Sequence, residues 1–132
     1  MKSYTSKEIR NVVMLGHSGS GKTTITESCL FKSGATKRCG KVDEGNTVSD
    51  YDPEEIKRHV SINSSILPVE WKDTKINFID TPGYFDFAGE VMLSTKVADA
   101  AVIVVSGKAG VEVGTEKAWE YVEKFETPRM FF

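Results

Sequence analysis

Apolar positions along the chain fall into short runs separated by polar and glycine-rich stretches, and the runs differ in period. Asn11-Val12-Val13-Met14-Leu15 is a brief apolar run that predicts a buried strand. Lys22 to Lys32 predicts a helix, with Ile25, Cys29 and Leu30 at helical spacing on one buried face. Ser33-Gly34 stops it, with Gly34 in the left-handed conformation. Ile62 to Trp71 alternates loosely, Lys72-Asp73-Thr74 turns, and Lys75-Ile76-Asn77-Phe78-Ile79 follows as a second strand, so this region reads as a hairpin. Pro68 puts the first arm at a sheet edge, because proline cannot donate to a ladder. Tyr84 to about Lys96 reads as a helix through Phe87, Val91 and Met92. Ala98 to Val105 ends in an unbroken apolar run, the pattern of a parallel strand covered on both faces. A further helix from Gly114 or Thr115 to about Phe125 puts Ala118, Val122 and Phe125 on one face, with Trp119 as core packing beside them. Thr127-Pro128-Arg129 turns into a last apolar strand at Met130-Phe131-Phe132.

The stretch from Ala35 to about Arg58 has no sustained period. Asp52-Pro53-Glu54-Glu55 can open a short helix there: Asp52 caps it, Pro53 fits the first turn, and Glu55 lies three residues after the cap. A loop this long in a compact domain is usually functional or a disordered, solvated linker. Its position directly after the first helix marks it as a segment that senses a bound ligand.

The chemistry concentrates between the first strand and the first helix. Gly16-His17-Ser18-Gly19-Ser20-Gly21-Lys22-Thr23 matches the phosphate-binding loop G-x-x-x-x-G-K-[ST] at every fixed position, and the strand and helix it requires flank it. Its glycines allow turns that aim successive backbone N–H groups into one concavity, which suits phosphate oxygens. The helix that follows adds partial positive charge at its N-terminus. Lys22 is expected at the β- and γ-phosphates, and Thr23 offers a hydroxyl to a magnesium ion. The loop alone does not distinguish ATP from GTP. Asp80-Thr81-Pro82-Gly83 follows the second hairpin strand at once. In open α/β sheets ligands sit beyond the carboxyl ends of the strands, so Asp80 is expected on the same edge, holding magnesium directly or through water. Gly83 is expected to present its N–H to the γ-phosphate.

Composition adds bounds. With 132 residues and a formal net charge of −2, the chain is about one domain and does not coat nucleic acid by bulk charge. No apolar run approaches the ~20 residues needed to span a membrane, and the polar stretch Met1 to Glu8 lacks the apolar core of a signal peptide. A cytoplasmic location is expected. Cys29 and Cys39 are expected as free thiols, Cys29 as a small core residue and Cys39 in a polar loop.

Several ordered segments together resemble one family: Gly16–Thr24, Lys41-Val42-Asp43-Glu44-Gly45, Arg58–Ile62, Asp80-Thr81-Pro82-Gly83 with Asp86-Phe87, Gly110-Val111-Glu112 and Pro128-Arg129. From about Arg10 onward the chain resembles the amino-terminal part of the G domain of translational GTPases, most closely those of the elongation factor G type. The resemblance implies an α/β P-loop NTPase fold with a mostly parallel sheet and one antiparallel edge strand, incomplete at its C-terminus. It implies that Gly16, His17, Ser18, Gly19, Ser20, Gly21, Lys22, Thr23, Thr24, Asp80 and Gly83 bind GTP or GDP. Thr23, Ser61 and Asp80 would hold Mg2+, and Lys22 and Tyr84 would act in catalysis. Residues of about 35–62 would form switch I and about 80–96 switch II, ordered by the γ-phosphate. The implied activity is GTP hydrolysis in ribosomal translocation, with the ribosome as partner. The alternatives are a tetracycline-protection or release-factor type of GTPase, or a nucleotide switch with little hydrolysis.

Departures from the family pattern qualify this. Tyr84 stands where the family carries the His that positions the attacking water, and a phenol is a poor substitute for imidazole, so weak hydrolysis is expected. Gly19 replaces an Asp, Ser18 an apolar residue and His59 a Gly, while Ser61 keeps the hydroxyl of the family's Thr. The guanine-reading N-K-x-D motif would lie beyond Phe132, so residues 1–132 alone are expected to bind weakly and to discriminate poorly between GTP and ATP. The final strand is expected to expose apolar surface and favour self-association.

Overall fold

The computed structural model describes residues 2–132, Phe85 by its backbone only; Met1, the start of the polar N-terminal stretch, lies outside them. Five strands form one sheet: β1 (Ile9–Leu15), β2 (Ser65–Trp71), β3 (Thr74–Asp80), β4 (Ala100–Ile103) and β5 (Arg129–Phe131), in the order β2-β3-β1-β4-β5. The β2–β3 hairpin is antiparallel and the other pairs are parallel. Pro68 therefore sits on an edge strand, as the sequence predicts, where its missing N–H costs no ladder bond.

β1 is the central strand, and its sequence fits that place. Val13, Met14 and Leu15 are all buried, so both faces of the strand are covered. On one face Val13, Leu15, Ile79, Ala101 and Ile103 pack with α3 (Ala88–Val97) and α4 (Val113–Lys124) through Val91, Ala118 and Val122. On the other face α1 (Lys22–Lys32) sets Leu30 against Leu67, Val69 and Phe78. Each fully buried side chain of this size contributes roughly 1.5–3 kcal/mol. Polar pairs fix the register at the other end of β1: Asn11 N donates to Asp99 Oδ2 at 2.7 Å and Asn77 Nδ2 to Asn11 Oδ1 at 2.9 Å.

Four expectations need correction. The helix expected from Tyr84 begins at Ala88, after a single tight turn at Phe85–Phe87. The strand expected over Ala98–Val105 is confined to Ala100–Ile103, where β1 and β5 supply partners. The buried positions of α1 are Lys22, Thr26, Glu27 and Leu30, not an Ile25–Cys29–Leu30 stripe. The helix turns that side inward because a polar loop, rather than apolar sheet alone, packs against it. Trp119 is 41% exposed instead of core, stacked on Phe131 with the Arg129 guanidinium 4.2 Å from its ring centroid.

The expected short helix is present as α2 (Pro53–Arg58), closed by the Asp52–Glu55 capping box. It ends at His59, whose φ of 54° is left-handed. A side chain resists this conformation by roughly 1–2 kcal/mol. The His59 Nδ1 to Val42 carbonyl contact at 3.0 Å offsets part of that. Replacing His59 with Val should lower stability by about 1–2 kcal/mol in urea unfolding, while Gly should be tolerated.

Candidate functional site

Parallel strands bring their carboxyl ends to one edge. The loop after β1 and the turn after β3 therefore meet there, and Thr81 Oγ1 donates to Met14 O at 2.5 Å across the pair. Gly16 leaves β1 with its Cα pressed on the residue that follows β4: a Cβ there would lie 2.4 Å from Val104 O. The loop then winds through left-handed glycines into α1, whose N-cap is Gly21.

Lys22 is buried, and its ammonium donates back to the loop carbonyls of His17 at 2.8 Å and Gly16 at 3.1 Å. Burial pulls its pKa down to about 8 although the charges of Asp80 and Asp50 oppose this. Thr23 Oγ1 donates to Asp80 Oδ2 at 2.7 Å. The other oxygen of Asp80, Oδ1, is buried with no hydrogen-bond partner. Burial pushes Asp80 up to about 6, against the pull of the Thr23 hydroxyl and the Lys22 charge. Gly83 lies against the loop so closely that a Cβ would come within 2.6 Å of Ser18 backbone and 2.7 Å of Lys22 Nζ.

These residues border a cleft of about 610 Å³. Ser18, Gly19, Gly21, Lys22, Thr23, Thr24, Ser61, Gly83 and Tyr84 line it, and Asp80 joins them through Thr23. Gly16, His17 and Ser20 of the same loop are not among the lining residues. The His17 ring reaches the start of α4, where Nδ1 accepts from Gly114 N at 3.2 Å and Nε2 lies 3.6 Å from Glu112 Oε1. Tyr84 is 46% exposed at the rim. Ser61 faces the cleft but donates to Asp50 Oδ1 at 2.7 Å.

The outer wall comes from the aperiodic loop. Gly40, Lys41, Val42 and Asp43 line the cleft on one side and His59 and Val60 on another, with Asp50 buried between. Sequence reasoning passed over two of the residues that shape this wall. Neither Asp50 nor Glu27 is singled out by the sequence pattern. A stripe of Lys22, Thr26 and Leu30 at fourfold spacing, with Glu27 beside it, was the signal available.

A mostly parallel sheet whose central strand feeds a glycine loop, a buried lysine and a helix N-terminus defines a P-loop nucleotide-binding protein. The particular family follows from comparison. Residues 7–132 match the Elongation factor Tu GTP binding domain, and the chain belongs to that family. Ribosome-releasing factor 2, mitochondrial, of Scheffersomyces stipitis is 46% identical over 123 residues, covering 93% of this chain and 15% of that protein. Elongation factor G 2 of Borreliella burgdorferi is 40% identical, covering 94% of this chain and 18% of that protein. A crystal structure from Thermus thermophilus matches with a TM-score of 0.91 at 44% identity, covering 94% of this chain and 19% of that one. The chain spans less than a fifth of the length of these relatives. Among the described residues no helix is long and apolar enough to cross a membrane.

The two shifted groups set a pH dependence. Asp80 is raised on folding, so its contribution to stability is present below pH 3.8 and lost as pH rises through about 6. Lys22 is lowered, so its contribution is present above pH 10.5 and lost as pH falls through about 8. Near neutrality both buried charges work against folding. Asp80→Asn should therefore stabilise the ligand-free protein at pH 7.5 by about 2 kcal/mol, a gain that vanishes at pH 4. Thermal melts of the two proteins at both pH values check this.

Proposed function

We propose that the chain is the phosphate-binding part of a translational GTPase that binds GTP and GDP with Mg2+ and, within a longer protein, hydrolyses GTP on the ribosome. The observation that carries it is the joining of Lys22, Thr23 and Asp80 at one buried point of the cleft. The Lys22 ammonium donates to two neutral carbonyls there, and charged phosphate oxygens are stronger hydrogen-bond partners for it.

The residues also fit magnesium. Thr23 and Asp80 offer hard oxygen donors, and the buried unpaired Oδ1 of Asp80 is an acceptor in want of a cation or of water held by one. Ser61 would join them on leaving Asp50. A bound Mg2+ supplies positive charge against the phosphate oxygens. Lys22 neutralises charge on the transferred group, the loop amides orient it, and closure of residues 35–62 as switch I excludes water. Residues of about 80–96 form switch II: Gly83 hands its N–H to the terminal phosphate, and Tyr84 positions the attacking water less well than an imidazole would.

The relatives named ribosome-releasing factor 2 favour a second reading of the same chemistry, in which the hydrolysis serves ribosome release rather than translocation.

Titration calorimetry of the full-length protein with GDP, GTP and ATP, each with Mg2+, tests the assignment. Guanine nucleotides should bind and ATP should not, and Lys22→Ala should weaken binding by at least about tenfold, the loss of one charge-assisted contact. A preference for ATP, or affinity indifferent to Lys22, overturns it. Ribosome-stimulated turnover should rise in Tyr84→His; an unchanged rate would remove Tyr84 from the catalytic step.

A further inference from the structure

Helix α1 carries a carboxylate that the phosphate chemistry does not use. Glu27 is fully buried, and its two oxygens are spent on the backbone of the cleft wall. Oε2 accepts from Gly40 N at 3.0 Å and Oε1 from Val48 N at 2.6 Å. A buried carboxylate with two N–H donors makes strong charge-assisted bonds, and losing it strands a buried donor at Gly40 and a part-buried one at Val48. Gly40 comes so close that a Cβ there would lie 2.6 Å from Glu27 Oε2 and 2.8 Å from Asn46 O. Residues 40–48 have no strand and one short turn, at Val42–Glu44, so Glu27 supplies order that secondary structure does not.

A second buried acid serves the other half of the same segment. Glu55 Oε1 accepts from Ile62 N at 2.9 Å and Asn63 N at 3.0 Å, and its Oε2 from Asp52 N at 3.2 Å. Residues 49–51 join the halves and are tied to both: Asp50 N donates to Thr47 Oγ1 at 3.4 Å and Asp50 Oδ1 accepts from Ser61, while Ser49 O accepts from Ser65 at the start of β2. The halves also touch directly: His59 Nδ1 meets Val42 O at 3.0 Å, at exposed positions, and Ile56 packs on Gly45, where a Cβ would lie 2.9 Å from Ile56 Cγ2.

We propose that Glu27 is a positioning residue that holds residues 40–48 as one wall of the cleft, independently of residues 52–63, which Glu55 holds. The cleft wall is two flaps rather than one lid. The flap on Glu27 contributes Gly40, Lys41, Val42 and Asp43 to the cleft, so its closure sets how long a ligand stays. This last consequence rests on the reading of the cleft as a nucleotide site.

The test uses the full-length protein, with hydrogen exchange read by mass spectrometry and GDP release by stopped flow. In Glu27→Gln, the amide group cannot accept from both backbone donors. Residues 40–48 should exchange about tenfold faster, with 52–63 unchanged, and GDP should leave about tenfold faster with its association rate kept, as expected for one lost bond to a charge. Glu55→Gln should loosen 52–63 and leave 40–48 protected. Gly40→Ala leaves Glu27 intact but pushes the wall off it, and should reproduce the Glu27→Gln pattern even if that variant folds poorly. Loosening of both flaps together, or protection of 40–48 without Glu27, overturns the proposal. If the exchange pattern holds but GDP release is unchanged, the effect on retention is refuted. If the pattern holds and GDP does not bind the parent protein, the anchor stands and the nucleotide reading falls.

Discussion

Central β1 has parallel neighbours on both sides, and that constraint organises the molecule. Parallel pairing sends the ends of β1, β3 and β4 to one edge, where the chain must leave the sheet three times. Backbone groups there have no ladder partners, so they are available to a ligand. Gly16 resolves the crowding at the first exit by doing without a Cβ beside Val104 O, and Gly83 does the same at the second, against Ser18. Loop, lysine and Asp80 thus meet because the strands that deliver them are neighbours in the sheet.

The site is built at the expense of the free protein's stability. Lys22 and Asp80 are both buried, and burial shifts each toward its neutral form. Their mutual attraction and the Thr23 hydroxyl return part of the loss, yet one Asp80 oxygen is left without a partner. Arrangements of this kind are kept where a ligand completes them, and they lower the stability of the ligand-free fold. The rest of the domain compensates with an apolar core around Val13, Leu15, Ile103 and Val122, none of which touches water.

Local patterns made much of this legible. The loop motif, the edge strand marked by Pro68 and the capping box at Asp52–Glu55 are each written in contiguous residues, and the structure has each of them. What was illegible depends on partners distant in sequence. Ile25 and Cys29 have the spacing of a core stripe, but α1 turns Glu27 inward, where Gly40 N and Val48 N donate to it, and Thr26 beside it spends its hydroxyl on Lys22 O. Trp119 has the composition of a core residue, yet Phe131 and Arg129 of β5 capture it at the surface. The sheet's first strand also starts two residues early, at Ile9, since β3 is long enough to pair with it there.

The loop from 35 to 62 shows how a segment without periodicity can still be specified. It has no continuous apolar stripe to bury, so packing alone cannot hold it. Three acids do so instead: Glu27 from the preceding helix, Glu55 from within, and Asp50, which turns toward the cleft and takes the Ser61 hydroxyl. Each bonds groups that would otherwise go unpaired in a partly dry interior, which makes the arrangement specific as well as ordered. Asp50 differs from the other two. Burial raises its pKa, and the hydroxyl that donates to it belongs to Ser61, which lines the cleft. Glu27 and Glu55 bond backbone N–H groups, whereas Asp50 bonds a side-chain hydroxyl, which can rotate to another partner. The fixed bonds and the exchangeable one therefore divide the loop into parts that persist and a part that answers to the ligand.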